Sequence, residues 1–190
     1  MNARSLDGRR ILMVVAPTEF EDQELLEPKG VFEHLGARVE VASTAAVARG
    51  DRGAEITPDL VLEAPEIATG GRRGYDAIVV VGGRGAQTFL WDHGMLHSLL
   101  RLAHDAGAVI GATSLATPVL ARAGLLQGVR ATVFGLPHAR HELERAGAVH
   151  LDDPVVVDRG IVTAAGPDAA HPFAEAVAQA VAGRPPQAGR

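Results

Sequence analysis

Ser114 lies at the junction of a strand-like and a helix-like segment. The stretch VIGATSLATPVLARAGLL (109–126) begins with apolar, β-branched residues and continues with apolar residues at helical spacing. α/β proteins use a sharp turn at such a junction to expose a nucleophile above the end of a sheet. The Ser114 hydroxyl would need an adjacent base to react in that way. We therefore consider three roles for Ser114: nucleophile, hydrogen-bond donor to a substrate or oxyanion, and relic of a lost site.

Two other strand-like segments end in residues that suit a binding site. APTEFEDQE (16–24) follows the first apolar run, and GGRGAQ (82–87) follows another. Ligands in open α/β sheets bind beyond the carboxyl ends of the strands, so we expect these segments to meet near Ser114. The backbone N–H groups of Gly83 and Leu115 would then face negative charge that develops on a substrate.

Glu24 is the acidic residue that best fits proton transfer. If it packs against the Ser114 turn and loses solvent, its pKa rises toward neutrality, which suits a general acid or base. The alternative is a solvated acidic surface, because further acidic residues surround it in sequence. In either case we interpret Glu21 and Asp22 as surface charges.

Four further residues are candidates for lining the site. Thr113 and Thr117 flank the Ser114 turn, although a strand residue and a helix-start residue explain them equally well. His138 and His141 lie in PHARH, and either could turn toward the site.

Other motifs favour simpler interpretations. GGRGAQ lacks the third glycine of a dinucleotide-binding loop, and Arg84 in it is expected to face solvent. His93 and His97 are four residues apart, as in metal-binding pairs, but no third ligand is evident. We therefore predict no metal and no cofactor.

The composition limits the class of protein. The 190 residues carry a net charge of −5 and no cysteine, so disulfides, thiolate metal sites and cysteine nucleophiles are excluded. No basic stripe indicates nucleic acid as a partner, and no apolar run is long enough for a signal peptide or a membrane span. We predict a cytoplasmic protein that acts on a small molecule.

Apolar periodicity predicts alternating strands and helices. The predicted strands are 11–16, 38–43, 59–62, 76–81, 108–113, 130–134, 154–158 and 161–164. The predicted helices are 21–36, kinked or split at Pro28, and 86–105, 115–124, 137–147 and 169–181. This alternation implies an α/β fold with a mostly parallel sheet covered on both faces. We predict one domain over 1–190, with its core at about 9–183 and a frayed tail at 184–190.

The combination of these segments resembles the ThiJ/PfpI family of the class I glutamine amidotransferase-like superfamily. The resemblance rests on FEDQELLEP (20–28), VVVGGRGAQ (79–87), GATSLATPVLARAGLLQGVRAT (111–132) and VVVDRGIVTAAGP (155–167). It implies a flavodoxin-like, three-layer α/β/α sandwich, a homodimer, and a cysteine at a strand-to-helix nucleophile elbow beside an acidic residue.

The resemblance places Ser114 at the position of that cysteine and Glu24 at the position of the acid. Gly83 and Leu115 fall on the oxyanion-hole positions. The chain departs from the family pattern because it has no thiol and because Phe134 occupies the position where many members carry a histidine. Thiol-dependent activities of the family are therefore not expected here.

Two functions remain. The first is a cysteine-independent hydratase, lyase or isomerase, of isonitrile hydratase or glyoxalase type, in which Glu24 moves a proton and Ser114 holds the substrate. The alternative is a catalytically silent family member that acts as a binding, chaperone-like or regulatory module.

Overall fold

A computed structural model describes residues 5–64 and 74–185 of the chain. In these ranges strands and helices alternate as the sequence predicts, and most of the predicted tail lies outside them. No helix among the described residues has the length and apolarity that a membrane crossing requires.

A seven-stranded sheet forms the centre of the described structure. Its strands are β1 (Arg10–Val14), β3 (Arg38–Ser43), β6 (Leu60–Val61), β7 (Ala77–Val80), β8 (Val109–Thr113), β11 (Val155–Asp158) and β12 (Ile161–Ala164). Their order in the sheet is β11-β12-β8-β7-β1-β3-β6, and all neighbours are parallel except the β11–β12 hairpin. Because the chain moves in opposite directions across the sheet from β1, a crevice is expected at the carboxyl ends of β1 and β7.

Helices cover both faces of this sheet, which makes three layers. Helices α1 (Asp22–His34) and α5 (Ala170–Ala182) lie on one face. Helices α2 (Gly94–Asp105), α3 (Thr117–Arg122) and α4 (Pro137–Arg145) belong to the other. Alternate strand residues point to each side, so β1 buries Ile11 and Met13 under α1 and α5, and Leu12 and Val14 on the opposite face. The predicted flavodoxin-like sandwich is confirmed.

Two small sheets lie beside the main one. Strands β2 (Thr18–Phe20), β4 (Ala48–Gly50) and β5 (Glu55–Ile56) form one, and β9 (Arg130–Ala131) with β10 (Val149–His150) forms the other. The sequence did not predict the first small sheet, because its strands are only two or three residues long and carry no clear alternation.

Helix α1 runs through Pro28 without interruption, so a split of the helix there, one of the two predicted outcomes, is wrong. Proline removes one backbone hydrogen bond, which would have joined its own nitrogen to the carbonyl of Glu24. Leu25, Pro28 and Phe32 are buried on one side of the helix, and this packing compensates for the lost bond.

The predicted helix over 86–105 is two helices. A π-helix at Ala86–Leu90 comes first, and α2 starts only at Gly94, after His93 caps it by accepting the Leu96 N–H through its side chain. π-Helical turns cluster at functional sites, and this one packs beside the turn that carries Ser114.

Candidate functional site

The start of helix α1 brings Glu24 to the carboxyl ends of β7 and β8. Glu21 is the N-cap residue, and its side chain accepts the backbone N–H of Glu24 at 2.9 Å. The backbone N–H of Glu21 donates to the carbonyl of Gly82 at 3.0 Å. The Glu24 side chain is therefore not needed to cap its own helix, and it turns toward the strand ends.

One oxygen of the Glu24 carboxyl group receives three hydrogen bonds. Thr113 Oγ1 donates to Oε2 at 2.7 Å, Ser114 Oγ at 3.0 Å and the Gly82 N–H at 3.1 Å. The other oxygen, Oε1, is buried and has no hydrogen-bond partner among the described residues. Glu24 thus has one oxygen fixed by three hydrogen bonds and one buried oxygen whose hydrogen-bonding capacity is not used by the described residues.

Burial changes the acidity of this group. The side chain of Glu24 is fully buried, and loss of solvent raises its pKa from the ordinary 4.5 to about 7. The hydrogen bonds from Thr113 and Ser114 oppose this rise, whereas the charge of Glu21 adds to it. A carboxyl group with a pKa near neutrality can both accept and donate a proton at physiological pH.

Ser114 is held in an uncommon backbone conformation. Its φ is +41°, in the left-handed region that non-glycine residues seldom adopt. The residue ends β8 and begins a 3₁₀ turn (Ser114–Ala116) that leads into α3. This geometry is the strand-to-helix elbow predicted from the sequence, and it orients the hydroxyl toward Glu24.

The two glycines after β7 make room for this arrangement. A Cβ atom on Gly82 would lie 2.0 Å from Ser114 Oγ and 2.4 Å from Glu24 Oε2. Gly83 has a φ of +100°, and a Cβ there would lie 2.4 Å from the carbonyl oxygen of Glu19. Both positions therefore require glycine, for close approach at Gly82 and for conformation at Gly83.

The predicted polar residues around the elbow are brought together. Thr113 links two partners, since its Oγ1 accepts the Gly82 N–H at 3.0 Å while donating to Glu24. The hydroxyl of Thr117 is buried and has no partner in the described ranges. Leu115 is the second residue of the 3₁₀ turn, where backbone N–H groups have no partner within the helix.

The two histidines in PHARH lie apart from this cluster. Nε2 of His138 is 3.1 Å from Gln87 Oε1, and its ring is 5.8 Å from that of Trp91. His141 is exposed, and its Nδ1 lies 3.6 Å from Glu144 Oε2. Across residues 5–64 and 74–185, neither histidine is hydrogen bonded to Glu24 or Ser114, and their role in substrate binding stays a prediction.

The interpretation of Glu21 and Asp22 as surface charges is wrong. Both are buried, with 6% and 8% of their surface exposed. Asp22 accepts the backbone N–H groups of Ala54 at 2.7 Å and Arg52 at 3.1 Å, which fixes the β4–β5 hairpin to the start of α1. An acidic run in the sequence does not distinguish charges that bind water from charges that bind backbone N–H groups.

Two site residues were missed from the sequence. Gly82 donates its N–H to Glu24, whereas the sequence suggested a donor role only for its neighbour Gly83. Trp91 donates its indole N–H to the carbonyl of Leu115 at 2.6 Å. The paired glycines after a buried strand were a signal for the first, whereas nothing local to the sequence indicates the second.

The described residues suit acid–base chemistry on a small molecule. No three His, Asp or Glu side chains among them are arranged to hold a metal ion. His93 instead caps α2 and contacts Glu63, and His97 Nε2 lies 2.9 Å from the carbonyl of Trp91. The site therefore combines a carboxyl group whose pKa lies near neutrality, a hydroxyl group and the backbone N–H groups at the start of a helix.

Comparison with known proteins agrees with this architecture. The DJ-1/PfpI family matches residues 9–180. An uncharacterised protein of Methanocaldococcus jannaschii is 39% identical over 178 residues, which cover 93% of this chain and 84% of the relative. A Caenorhabditis elegans relative named glutathione-independent glyoxalase DJR-1.2 is 27% identical and covers 90% of this chain and 88% of its own length.

Solved structures show the same fold. A ThiJ/PfpI domain protein from Brachyspira murdochii superimposes with a TM-score of 0.84 at 30% identity, covering 93% of this chain and 98% of that one. Drosophila melanogaster DJ-1beta superimposes with a TM-score of 0.80 at 27% identity, covering 93% and 92%.

Proposed function

The chain belongs to the DJ-1/PfpI family, and we propose that it is a small-molecule enzyme that catalyses hydration, dehydration or isomerisation without a thiol. Glu24 is the general acid and base of this reaction. Ser114 and the backbone N–H groups of Leu115 and Gly83 bind the polarised atom of the substrate. The observation that carries the proposal is the Glu24 carboxyl group, buried, with Oε2 hydrogen bonded to the elbow and Oε1 without a partner.

Hydration of a carbonyl group illustrates the proposed mechanism. Ionised Glu24 accepts a proton from water while the water oxygen forms a bond to the carbonyl carbon. The electron pair of the C=O bond moves to its oxygen, which the Leu115 and Gly83 N–H groups stabilise. Protonated Glu24 then returns the proton to this oxygen, and the product is the hydrate. Dehydration follows the same steps in reverse.

Isomerisation needs only the same groups. Glu24 removes a proton from the carbon next to a carbonyl, and the oxyanion of the resulting enediol or enolate is held at the elbow. For a 2-hydroxy carbonyl substrate, that proton returns to the former carbonyl carbon of the enediolate while the proton of the hydroxyl group passes to the oxyanion, and the product is the isomeric 2-hydroxy carbonyl compound. The glyoxalase among the relatives supports α-oxoaldehydes as the first substrate class to test.

Ser114 acts here as a hydrogen-bond donor rather than as a covalent nucleophile. Across residues 5–64 and 74–185, Ser114 is hydrogen bonded to Glu24 and to no histidine, so the histidine base that usually activates a serine nucleophile is not beside it. The 3.0 Å bond to Glu24 Oε2 and the strained φ both favour a fixed hydroxyl that orients Glu24 and the substrate.

Four proteins assayed together test this function: wild type, Ser114→Ala, Ser114→Cys and Glu24→Gln. The substrate panel is methylglyoxal, isonitriles, and α,β-unsaturated and 2-hydroxy carbonyl compounds. We expect Glu24→Gln to lose turnover by about a hundredfold or more and Ser114→Ala to lose less. Equal collapse in Ser114→Ala and Glu24→Gln would instead indicate covalent serine catalysis.

The same proteins test the alternative function, a binding or chaperone-like module without catalytic activity. If wild type turns over nothing in the panel, and if wild type, Ser114→Ala and Glu24→Gln all suppress aggregation of a client protein equally well, the chain is a binding module.

Family membership also supports a homodimer in the cytoplasm, which we propose on that basis. Sedimentation equilibrium tests the dimer.

A further inference from the structure

Trp91 connects the elbow to three surrounding helices. It is the single tryptophan of the chain, and it directly follows the π-helix Ala86–Leu90. Its backbone carbonyl lies 2.9 Å from His97 Nε2 of α2, and the guanidinium of Arg122 from α3 lies over its ring at 5.0 Å. The His138 ring of α4 packs on it at 5.8 Å. The indole is thus held on several sides, with only 5% of the residue exposed.

The polar atom of this indole binds the elbow itself. Nε1 donates to the carbonyl of Leu115 at 2.6 Å, and both residues are buried. The preceding carbonyl, of Ser114, accepts the Thr117 N–H within the 3₁₀ turn. Trp91 lies outside the 3₁₀ turn and holds the Leu115 carbonyl of that turn by a hydrogen bond.

Fixing this carbonyl matters because Ser114 is strained. A residue at φ +41° persists only where the surroundings hold it there. The peptide plane that contains the Leu115 carbonyl and the plane that contains the Leu115 N–H meet at the Leu115 Cα, so a hydrogen bond that holds the first plane limits the backbone rotations open to the second. An oxyanion donor loses its value when it is misplaced by a fraction of an ångström.

We propose that Trp91 is a positioning residue, whose indole N–H keeps the Ser114 side chain and the Leu115 N–H aimed at the substrate. This inference rests on the proposed function in taking the elbow as the reacting centre. It assigns Trp91 a role through Leu115, without contact with the reacting atoms.

The Ser114→Cys protein provides a direct probe of the elbow. Its cysteine is the only thiol in the chain, since the natural sequence has none. The rate at which iodoacetamide alkylates it, followed from pH 5 to 10, reports the thiolate at the elbow and requires no substrate. This measurement can therefore fail or succeed independently of the proposed enzyme activity.

Trp91→Phe is then made in the Ser114→Cys protein. It keeps an aromatic ring against Arg122 and His138 and removes the N–H donor. We expect the alkylation midpoint to move to higher pH and the rate at pH 7 to fall by roughly fivefold or more, because a mobile Leu115 N–H stabilises the thiolate less well. If the native serine protein turns over a substrate, Trp91→Phe should lower kcat and leave KM unchanged.

Arg122→Met in the Ser114→Cys protein is the matched control. It removes the cation–π contact with Trp91 and the ion pairs with Asp92 and Glu142, but it leaves the indole N–H on Leu115. We expect its alkylation profile to match that of Ser114→Cys alone, even if it is less stable.

A second replacement keeps the test decisive if Trp91→Phe does not fold. Benzothienylalanine, introduced at position 91 in place of tryptophan, has the same shape with sulfur where the N–H stands. An unchanged alkylation profile with either replacement would overturn the proposal. An equal shift of the alkylation midpoint in Arg122→Met would also overturn it, because the shift would then come from a general loss of packing around Trp91.

Discussion

Replacing Glu24 by Gln should change how the stability of the fold depends on pH. The pKa of this group is about 7 in the folded protein and close to the ordinary 4.5 when the chain unfolds. Between these values the folded state holds a proton that the unfolded state has released. The free energy of unfolding therefore falls as pH rises from 4.5 to 7, and the loss is complete above pH 7.

The expected size follows from the difference in pKa. The shift of about 2.5 corresponds, at about 1.4 kcal/mol for each pKa unit, to ~3 kcal/mol of stability lost by wild type between pH 4.5 and 8. Gln cannot ionise, so the Glu24→Gln protein lacks this loss. The difference in unfolding free energy between the two proteins should move in favour of Glu24→Gln by ~3 kcal/mol across that range.

Urea unfolding followed by circular dichroism at several pH values measures this difference. Glu33→Gln is the matched control, because Glu33 lies on the same helix, is exposed and, among the described residues, forms an ion pair with Lys29 alone. Its difference from wild type should vary by less than about 0.5 kcal/mol. A Glu24→Gln difference that is equally independent of pH would refute the argument that burial raises the pKa of Glu24.

Two further substitutions test the geometry around the elbow. Gly82→Ala should destabilise the protein by ~2 kcal/mol or more and abolish turnover, since its Cβ would overlap Ser114 Oγ and Glu24 Oε2. By contrast, the added methyl group of Gly30→Ala, in the middle of α1, meets no atom within 4 Å, and this substitution should stabilise the fold by ~0.5–1 kcal/mol. Thermal unfolding of both proteins measures the two effects. Equal effects would contradict the close approach at Gly82. Ser114→Gly should be more stable than Ser114→Ala by ~1 kcal/mol, because both lack the hydroxyl and only glycine accepts φ +41° without strain. Equal urea midpoints for those two proteins would show that the elbow stores no strain.

The sequence predicted those parts of the fold that depend on local periodicity. The apolar runs of β7 and β8 gave their strands to within one residue at each end, since strands buried on both faces are apolar throughout. The two strands of the β11–β12 hairpin were likewise predicted, over 154–158 and 161–164, and positive φ values at Arg159 and Gly160 match a hairpin turn between them.

Features that depend on distant partners were not predictable. Asp22 is buried because the β4–β5 hairpin offers it two backbone N–H groups, and nothing near Asp22 in sequence reveals that hairpin. Pro28 does not break α1 because buried neighbours hold the helix on both sides of it. In each case tertiary packing overrides the local preference of the residue.

Of the candidate site, too, some features were predictable from the sequence and others depend on distant partners. The position of the elbow and the proximity of Glu24 follow from the rule that the carboxyl ends of parallel strands meet at one edge of the sheet. This rule can be applied to the sequence because the strand ends are visible in it. The donor arrangement around Glu24 Oε2 and the bond from Trp91 to Leu115 depend on side-chain direction. Such directions are fixed only once the helices have packed on the sheet.

The pH dependence of kcat/KM for the best substrate in the panel tests most directly whether Glu24 is the acid–base group. The account predicts a profile governed by an ionisation near pH 7 in wild type, which disappears in the residual activity of Glu24→Gln. A profile that is flat through pH 7 in wild type, or an ionisation there that persists in Glu24→Gln, would contradict it.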